Sequence, residues 1–495
     1  MSNSKGESSY ILSWSIFRRE FFKDLALLLV LFLLSFLFVY FLPQSFSKLF
    51  FLGLLFLFFF SKKNYFWFAY FFILVEGPGY LFADFSGQSQ YRLPLYSFLP
   101  GFSFTPLDFF VILALLKAIL GGKRTELRLR KPLILISLYV IFSFVTTSFI
   151  FGTSIEILAW NLRWVFYYTI IISFSYLVTK RDEIYRFMLL IFPSVFFILF
   201  TQIYFITTGV EFINLFNPGF RGVALNLLTG ELRPLMGGVL LGFFSFIFSL
   251  VLLENKDYKQ SKWYLYILVV VSFFSIFISA TRVWFVMFLF ILGGYMLVSN
   301  KKVRSSANIV FISFLIVAIL VSSGLISRDF LVQSSWGRVS QVFDIARGDV
   351  SSVDTASRRF YTQMPIILNI IKQNPFIGYG LSNVTKRYYN NNLGFVNTIL
   401  MFGFFGFFLF IYFFIKYFVM IQTATKRLTN NNPFRTPLKV MAIAWAGILI
   451  GYFSTWDFFA YYFQKTFFVS ILIAITELFV REANKEELFS MSQKK

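Results

Sequence analysis

The sequence contains no cysteine and no histidine. Disulfide bonds, thiolate nucleophiles, imidazole bases and the usual zinc sites are therefore excluded. Haem and iron–sulfur ligation by these side chains is excluded for the same reason. Any catalysis must rely on carboxylate, arginine, lysine, tyrosine, serine, asparagine or backbone groups.

Charged residues are also scarce. They make up 14% of the 495 residues, whereas 58% are hydrophobic and 22% are aromatic. A soluble domain has about 25% charged residues. The composition therefore excludes a soluble globular enzyme, a disordered chain and a coiled coil, and it predicts an all-α polytopic membrane protein. The net charge of +22 is typical of basic cytoplasmic loops and of contact with anionic membrane lipids, so it does not indicate nucleic-acid binding.

Apolar runs of about 20 residues, the length of a transmembrane helix, recur along the chain. About 14 of them are predicted as membrane spans. They lie at residues 25–42, 45–60, 65–83, 105–120, 132–151, 159–178, 187–207, 235–253, 263–280, 283–298, 307–326, 395–416, 438–456 and 459–479.

Lysine and arginine cluster in alternate loops between these spans, and Arg18, Arg19 and Lys23 precede the first one. The positive-inside rule then places both termini in the cytoplasm. The predicted organisation has five parts in chain order. They are a cytoplasmic N-terminus at 1–24, spans at 25–326, a large outer loop at 327–394, further spans at 395–479 and a cytoplasmic tail at 480–495.

The loop at 327–394 carries basic residues on the outer side, where topology does not need them. Within it, residues 357–374 predict a helix with an apolar stripe at helical spacing. The stripe consists of Ile366, Ile367, Ile370 and Ile371. Pro365 predicts a kink or break, and Gly378 and Gly380 predict a turn after the helix. Two alternatives stay open, a helix in the membrane interface and a lid helix packed on the transmembrane bundle.

Three short motifs occur in order in the second half of the chain. In chain order they are Arg221 with Glu231, then Ser279-Ala280-Thr281-Arg282, then Ser357-Arg358-Arg359-Phe360-Tyr361 with Asn374-Pro375-Phe376-Ile377-Gly378-Tyr379-Gly380. A span with two glycines, Gly403 and Gly406, follows the third motif. By order and topological placement, the region 210–415 resembles the bacterial O-antigen polymerase and O-antigen ligase family.

The resemblance implies a membrane glycosyltransferase. It would polymerise undecaprenyl-diphosphate-linked oligosaccharide repeat units into a surface polysaccharide such as O-antigen, capsule or exopolysaccharide. It would lie in the bacterial inner membrane with the long loop in the periplasm. The implied partners are the undecaprenyl-diphosphate-linked glycan, membrane lipids, a chain-length regulator and a flippase. No cofactor and no metal ion would be needed.

A lipid diphosphate leaving group needs fixed positive charge, and the planar guanidinium group matches phosphate oxygens. Arg282 and Arg358 are therefore the expected catalytic arginines. Without histidine, either a carboxylate serves as the general base or no strong base is used, and Glu231 is the expected carboxylate. The expected substrate-binding residues come from the same motifs and from the long loop. They are Arg221, Arg338, Arg359, Gly378, Gly380 and Asn392.

One departure from the family pattern separates the alternatives. Ligases of the family have a histidine near the end of the long loop, where this chain has Asn392. The departure favours a polymerase over a ligase that transfers glycan to a lipid-core or protein acceptor. A flippase or transporter of lipid-linked sugars is a third alternative. The transporter alternative is disfavoured because the predicted spans carry few charges and the polar residues are concentrated in one outer loop.

Overall fold

The computed structural model describes most of the chain. The described residues are 4–82, 93–99, 102–121, 126–153, 163–216, 237–255, 258, 262–279, 281–299, 341, 347, 357–388, 393–430, 432–453, 459 and 463–492.

Helices make up nearly all of the described structure. In chain order they are α1 (Ser4–Tyr40), α2 (Gln44–Phe60), α3 (Asn64–Glu76), α4 (Pro106–Gly121), α5 (Arg130–Phe151), α6 (Ile170–Leu177), α7 (Arg181–Ile191), α8 (Pro193–Thr208), α9 (Val239–Glu254), α10 (Lys262–Ile278), α11 (Arg282–Val298), α12 (Met364–Gln373), α13 (Asn383–Tyr388), α14 (Gly394–Arg427), α15 (Arg435–Tyr452) and α16 (Phe463–Ser492). Short 3₁₀ helices cover Pro78–Tyr80, Tyr167–Thr169 and Phe212–Leu215, and a π-helical turn covers Arg358–Gln363.

Helices lie over every predicted span except 307–326, which falls outside the described residues. Within the described part of the chain, four helical segments are long and apolar enough to cross a membrane. They are Arg19–Tyr40, Arg130–Phe151, Arg181–Thr208 and Gly394–Arg427. The chain is therefore a helical membrane protein, as its composition predicts. The number of spans and the side on which each loop lies stay predictions.

A small β-hairpin departs from the predicted all-α architecture. Its strands, β1 (Tyr96–Leu99) and β2 (Phe102–Phe104), are antiparallel, and Tyr96 pairs with Phe104. The Tyr96 ring contacts Phe109 of α4 edge-on, with the ring centroids 5.3 Å apart. Its hydroxyl donates to Lys48 O at 2.7 Å. The hairpin is thereby fixed to the start of α4 and to α2.

The centre of the bundle is formed by α3, α9 and α16. Every residue of α9 is buried, as is every residue of α3 after Asn64. A helix that is apolar all round is typical of such a central position. The helices α1, α2 and α5 instead expose large apolar side chains, such as Leu33 (58%) and Phe149 (85%), as expected of surfaces that face lipid.

Several helix ends meet on one side of the molecule. We call this side the predicted outer end, because the charge pattern places it outside. There α3 ends and α9, α11, α14 and α16 begin. The contacts between helices fix this arrangement: Gly79 N donates to Gly237 O, and Gly451 near the end of α15 packs on Met287 in α11. The hydroxyls of Tyr452 and Thr398, at the end of α15 and the start of α14, lie 2.8 Å apart.

Candidate functional site

The turn after α12 interlocks with a break in α14. Gly378 and Gly380 have φ of +67° and +54°, in the left-handed region that favours glycine. Inside α14, Gly403 has φ +61° and ψ −172°, which interrupts the helix. A Cβ atom on Gly378 would lie 2.5 Å from Gly403 N, and one on Gly380 would overlap Thr147 Oγ1 in α5. The three glycines are therefore needed for close packing of the turn on α14 and α5.

The turn also completes the hydrogen bonding of α14. Before the break, Leu400 O accepts from Tyr379 N at 2.9 Å and Met401 O accepts from Gly380 N at 2.7 Å. After the break, the N–H groups of Phe404 and Phe405 donate to the carbonyl oxygens of Pro375 and Phe376, at 2.8 and 3.2 Å. These are backbone groups that an unbroken helix would pair internally, and leaving them unpaired in a membrane would be costly. The break in α14 and the glycine turn therefore satisfy each other's backbone hydrogen bonds.

The helix before this turn lies against the bundle. Ile367 and Ile371 of α12 are buried with Tyr379 and Leu400, whereas Ile366 is 48% exposed. The predicted apolar stripe is therefore divided between a buried and an exposed side. Burial raises the pKa of the Tyr379 phenol above its usual range. The phenol stays neutral and donates a hydrogen bond to Ile370 O at 3.1 Å, which ties the turn to α12.

Arg358 and Arg359 open the π-helical turn that precedes α12. Pro365, at the second position of α12, has no N–H group and cannot continue a regular helix from the preceding residues. The π-helical turn accommodates the break at Pro365, and π-helical turns are frequent at functional sites. Phe360 packs on the cluster around Tyr379, which anchors the turn. Arg358 is exposed at the surface, while Arg359 is partly buried.

Arg282 is the first residue of α11. Its guanidinium group donates a hydrogen bond to Gln341 Oε1, so the start of α11 contacts the long loop. Arg282 and Arg358 both lie at the predicted outer end. The end of α15 contacts both the start of α11, which carries Arg282, and the start of α14. The helix α12, which follows Arg358, packs on α14.

A cavity of about 370 Å³ lies between α5, residues 164–172, α14 and α16. Most of its lining is apolar, and its polar groups include Asn397, Thr398 and Tyr452 near the predicted outer end. Leu381, directly after the glycine turn, packs on Trp164 and Met401, which line the same end of the cavity. The turn that interlocks with α14 therefore lies against the polar end of a cavity that continues into the apolar bundle.

Arg163 lies at the same end but is occupied by an ion pair. Its Nε donates to Asp108 Oδ1 at 2.7 Å, and a second N–H group of the guanidinium donates to Asp108 Oδ2. Tyr167 OH and Thr105 Oγ1 complete the carboxylate's hydrogen bonds, at 3.1 and 2.9 Å. Such a satisfied bidentate pair is typical of a structural link, in this case between α4 and the segment before α6.

Four of the residues expected at the site from the sequence lie outside the described residues. They are Arg221, Glu231, Arg338 and Asn392. At Gly378 and Gly380, protein groups occupy the space next to the Cα atoms, and a role in substrate binding stays a prediction. Among the described residues, no group of three or more acidic side chains is placed to hold a metal ion.

A scan against protein-family models finds no match for this chain, and a search of curated proteins finds none either. The resemblance to the O-antigen polymerase and ligase family therefore rests on the sequence motifs alone.

Proposed function

We propose that the chain is a polysaccharide polymerase of the O-antigen polymerase and ligase type. It joins repeat units carried on undecaprenyl diphosphate at the periplasmic side of the bacterial inner membrane, with both termini in the cytoplasm. A chain-length regulator and a flippase are the proposed protein partners.

The cavity against the glycine turn is the observation that carries this proposal. Its apolar walls and polar end suit a polyprenyl chain with a charged head group, because a hydrocarbon chain is favourable in an apolar slot whereas a nucleotide is not. A donor bound in this way would place its diphosphate near the start of α14, next to the turn that carries Gly378 and Gly380.

The proposed reaction is a displacement at an anomeric carbon. A hydroxyl of a new lipid-linked unit attacks the sugar that joins the growing chain to its own lipid diphosphate. The new carbon–oxygen bond forms while the bond to the diphosphate breaks, the diphosphate leaves with that electron pair, and the proton of the hydroxyl passes to a carboxylate base. Arg282 and Arg358 stabilise the leaving charge. Each hydrogen bond to a charged group contributes about 1.5–3 kcal/mol, so two arginines would accelerate the step on the order of thousands-fold.

Both arginines are held in ways that suit this role. Arg282 sits at a helix start, where the N-terminal end of the helix dipole adds to the positive potential felt by an anion. Arg358 is exposed on a turn that Phe360 anchors to the bundle, so its guanidinium group is accessible to a head group.

The proposal is tested with the purified full-length protein in lipid nanodiscs and a chemically defined lipid-diphosphate-linked repeat unit. Products are separated by size, and released lipid diphosphate is measured in parallel. A ladder of longer chains with stoichiometric release supports the polymerase. Transfer that occurs only after a lipid-core acceptor is added would make the protein a ligase, and no product in either assay would favour lipid transport.

A further inference from the structure

Glu76 has a buried carboxyl group inside an otherwise apolar part of the bundle. It is the last residue of α3 and is 6% exposed, and its Oε1 has no hydrogen-bond partner among the described residues. Burying an unpaired carboxylate is costly. A negative charge at the C-terminal end of a helix is disfavoured further by the helix dipole. Buried carboxyl groups of this kind are found at functional positions.

The backbone after Glu76 holds this position rigidly. Gly77, Gly79 and Tyr80 all have φ between +50° and +64°, a conformation that is uncommon for a tyrosine. Gly79 N donates to Gly237 O at 3.0 Å, and a Cβ atom on Gly237 would lie 2.5 Å from Gly77 O. Strained backbone persists only where the surroundings determine it. The backbone that follows Glu76 is therefore fixed next to the start of α9.

Glu76 and Arg282 lie close in sequence to residues of one group of packed aromatic rings. This layer is formed by Phe72, Phe243, Phe244, Trp284, Phe467 and Phe468. Phe72, one turn before Glu76, stacks on Phe467 with ring centroids 5.3 Å apart. Trp284, two residues after Arg282, contacts Phe243 at 5.3 Å. Both charged residues are thus close to this layer, on α3 and α11.

The helix directions place both residues on the same side of the layer. Gly79 meets Gly237 at the start of α9, so α3 runs antiparallel to α9 and Glu76 lies towards that start. The ring contacts Phe243–Trp284 and Phe246–Phe288 show that α11 runs parallel to α9, so Arg282 also lies towards that start. Glu76 and the arginine proposed to stabilise the leaving diphosphate therefore share the predicted outer end.

We propose that Glu76 is the general base of the polymerase, taking the role that histidine cannot fill in this chain. The inference rests on the proposed function. As the acceptor hydroxyl attacks the anomeric carbon, its proton passes to the Glu76 carboxylate, and the diphosphate leaves with its electron pair beside Arg282. Glu76 then releases the proton to water. Lys465, near the start of α16, lies close enough for its positive charge to act on the carboxylate.

The test compares three glutamine variants of the full-length protein in the elongation assay. We expect Glu76→Gln to lower the elongation rate by about 100-fold or more, the usual contribution of a general base, and to leave the dissociation constant of the lipid-linked donor unchanged. Glu231→Gln tests the base expected from the sequence. Glu211→Gln is the matched control, because Glu211 is also buried (5% exposed) and precedes a short helix, and its rate should match that of the wild type.

Thermal unfolding separates a catalytic role from a structural one. Replacing a buried, unpaired charge by a neutral amide should leave the melting temperature of Glu76→Gln equal or raise it. A wild-type rate for this variant, or a rate loss that comes with a lower melting temperature, would overturn the assignment. A rate loss confined to Glu231→Gln would transfer the role to that residue. Failure of the wild-type protein itself to elongate would reject the proposed function, and the base role with it.

Discussion

Gly378 and Gly403 meet backbone to backbone, so that a side-chain carbon on Gly378 would lie 2.5 Å from the Gly403 amide nitrogen. The contact joins the long loop to the interior of a membrane helix. Because the turn supplies hydrogen bonds on both sides of the break in α14, the break is a fixed part of the structure.

Replacing Gly403 by alanine should destabilise the protein. The Gly403 backbone, with φ +61° and ψ −172°, costs about 1–3 kcal/mol for a residue with a side chain, and the new Cβ would overlap Phe376 O. We expect a lower melting temperature in detergent. Gly53→Ala in α2 is the control, since its Cβ would meet open space. Equal melting temperatures for both variants would contradict the interlocking of turn and helix.

Arg282→Ala should abolish most elongation while the protein still inserts. Loss of one preorganised donor to a developing anion lowers a rate by on the order of 100-fold or more. Arg282→Lys should recover only part, because lysine has no planar fork of donors. The rate of ladder formation is the measurement. Arg130→Ala, an exposed arginine at the start of α5, is the matched control. If Arg282→Ala elongates normally, the diphosphate role is wrong.

Arg358→Ala should lower the elongation rate with little change in stability, because Arg358 is exposed. Donor affinity and turnover should both fall if this arginine contacts the diphosphate. Lys372→Ala, an exposed cation at the end of α12, controls for a general loss of surface charge. Similar losses in the two variants would indicate an unspecific electrostatic effect.

Filling the cavity should weaken binding of the lipid part of the donor. Leu409 lines the cavity, so Leu409→Trp is expected to raise the dissociation constant of a donor with a full-length polyprenyl chain. A donor with a short chain should be affected much less. Phe408→Trp changes the adjacent side chain, which is 63% exposed, and should behave like the wild type. Equal effects on long-chain and short-chain donors would exclude the cavity as the lipid site.

Arg163→Ala should destabilise the protein because it removes the counterion of Asp108. Asp108 is 6% exposed and would become a buried charge without a counterion. Removing one member of such a pair typically costs about 3–5 kcal/mol. The double variant Asp108→Leu with Arg163→Leu should regain much of the lost melting temperature. If Arg163→Ala melts like the wild type but loses donor affinity, the arginine serves the substrate instead.

The positions of the helices could be predicted because a membrane-crossing helix needs about 20 apolar residues, and that requirement is local in sequence. The hairpin was not predicted: its strands are too short for such a search, although Pro100-Gly101 between them is a turn signal. Glu76 was also missed, since it lies inside an apolar run. Only the packing of α3 against α9 and α16 shows that its carboxylate is buried.

The glycines at the candidate site also show which features can be predicted from sequence and which cannot. The sequence shows that Gly378, Gly380 and Gly403 are present and that the first two predict a turn. It does not show that the turn and α14 share hydrogen bonds, because the partners are 21 to 29 residues apart and meet only in the folded chain. Whether a lipid-linked glycan binds beside them depends on contacts that no sequence pattern specifies.

The shared hydrogen bonds between the turn and α14 also bear on how such a chain can diverge. A larger residue at Gly378 would require a different path for α14, and a regular helix at Gly403 would leave the turn without its partners. We therefore expect homologous chains to keep or lose these two glycines as a pair. The segment between them that connects the turn to α14 can change in length, because insertions there leave the shared backbone contacts in place.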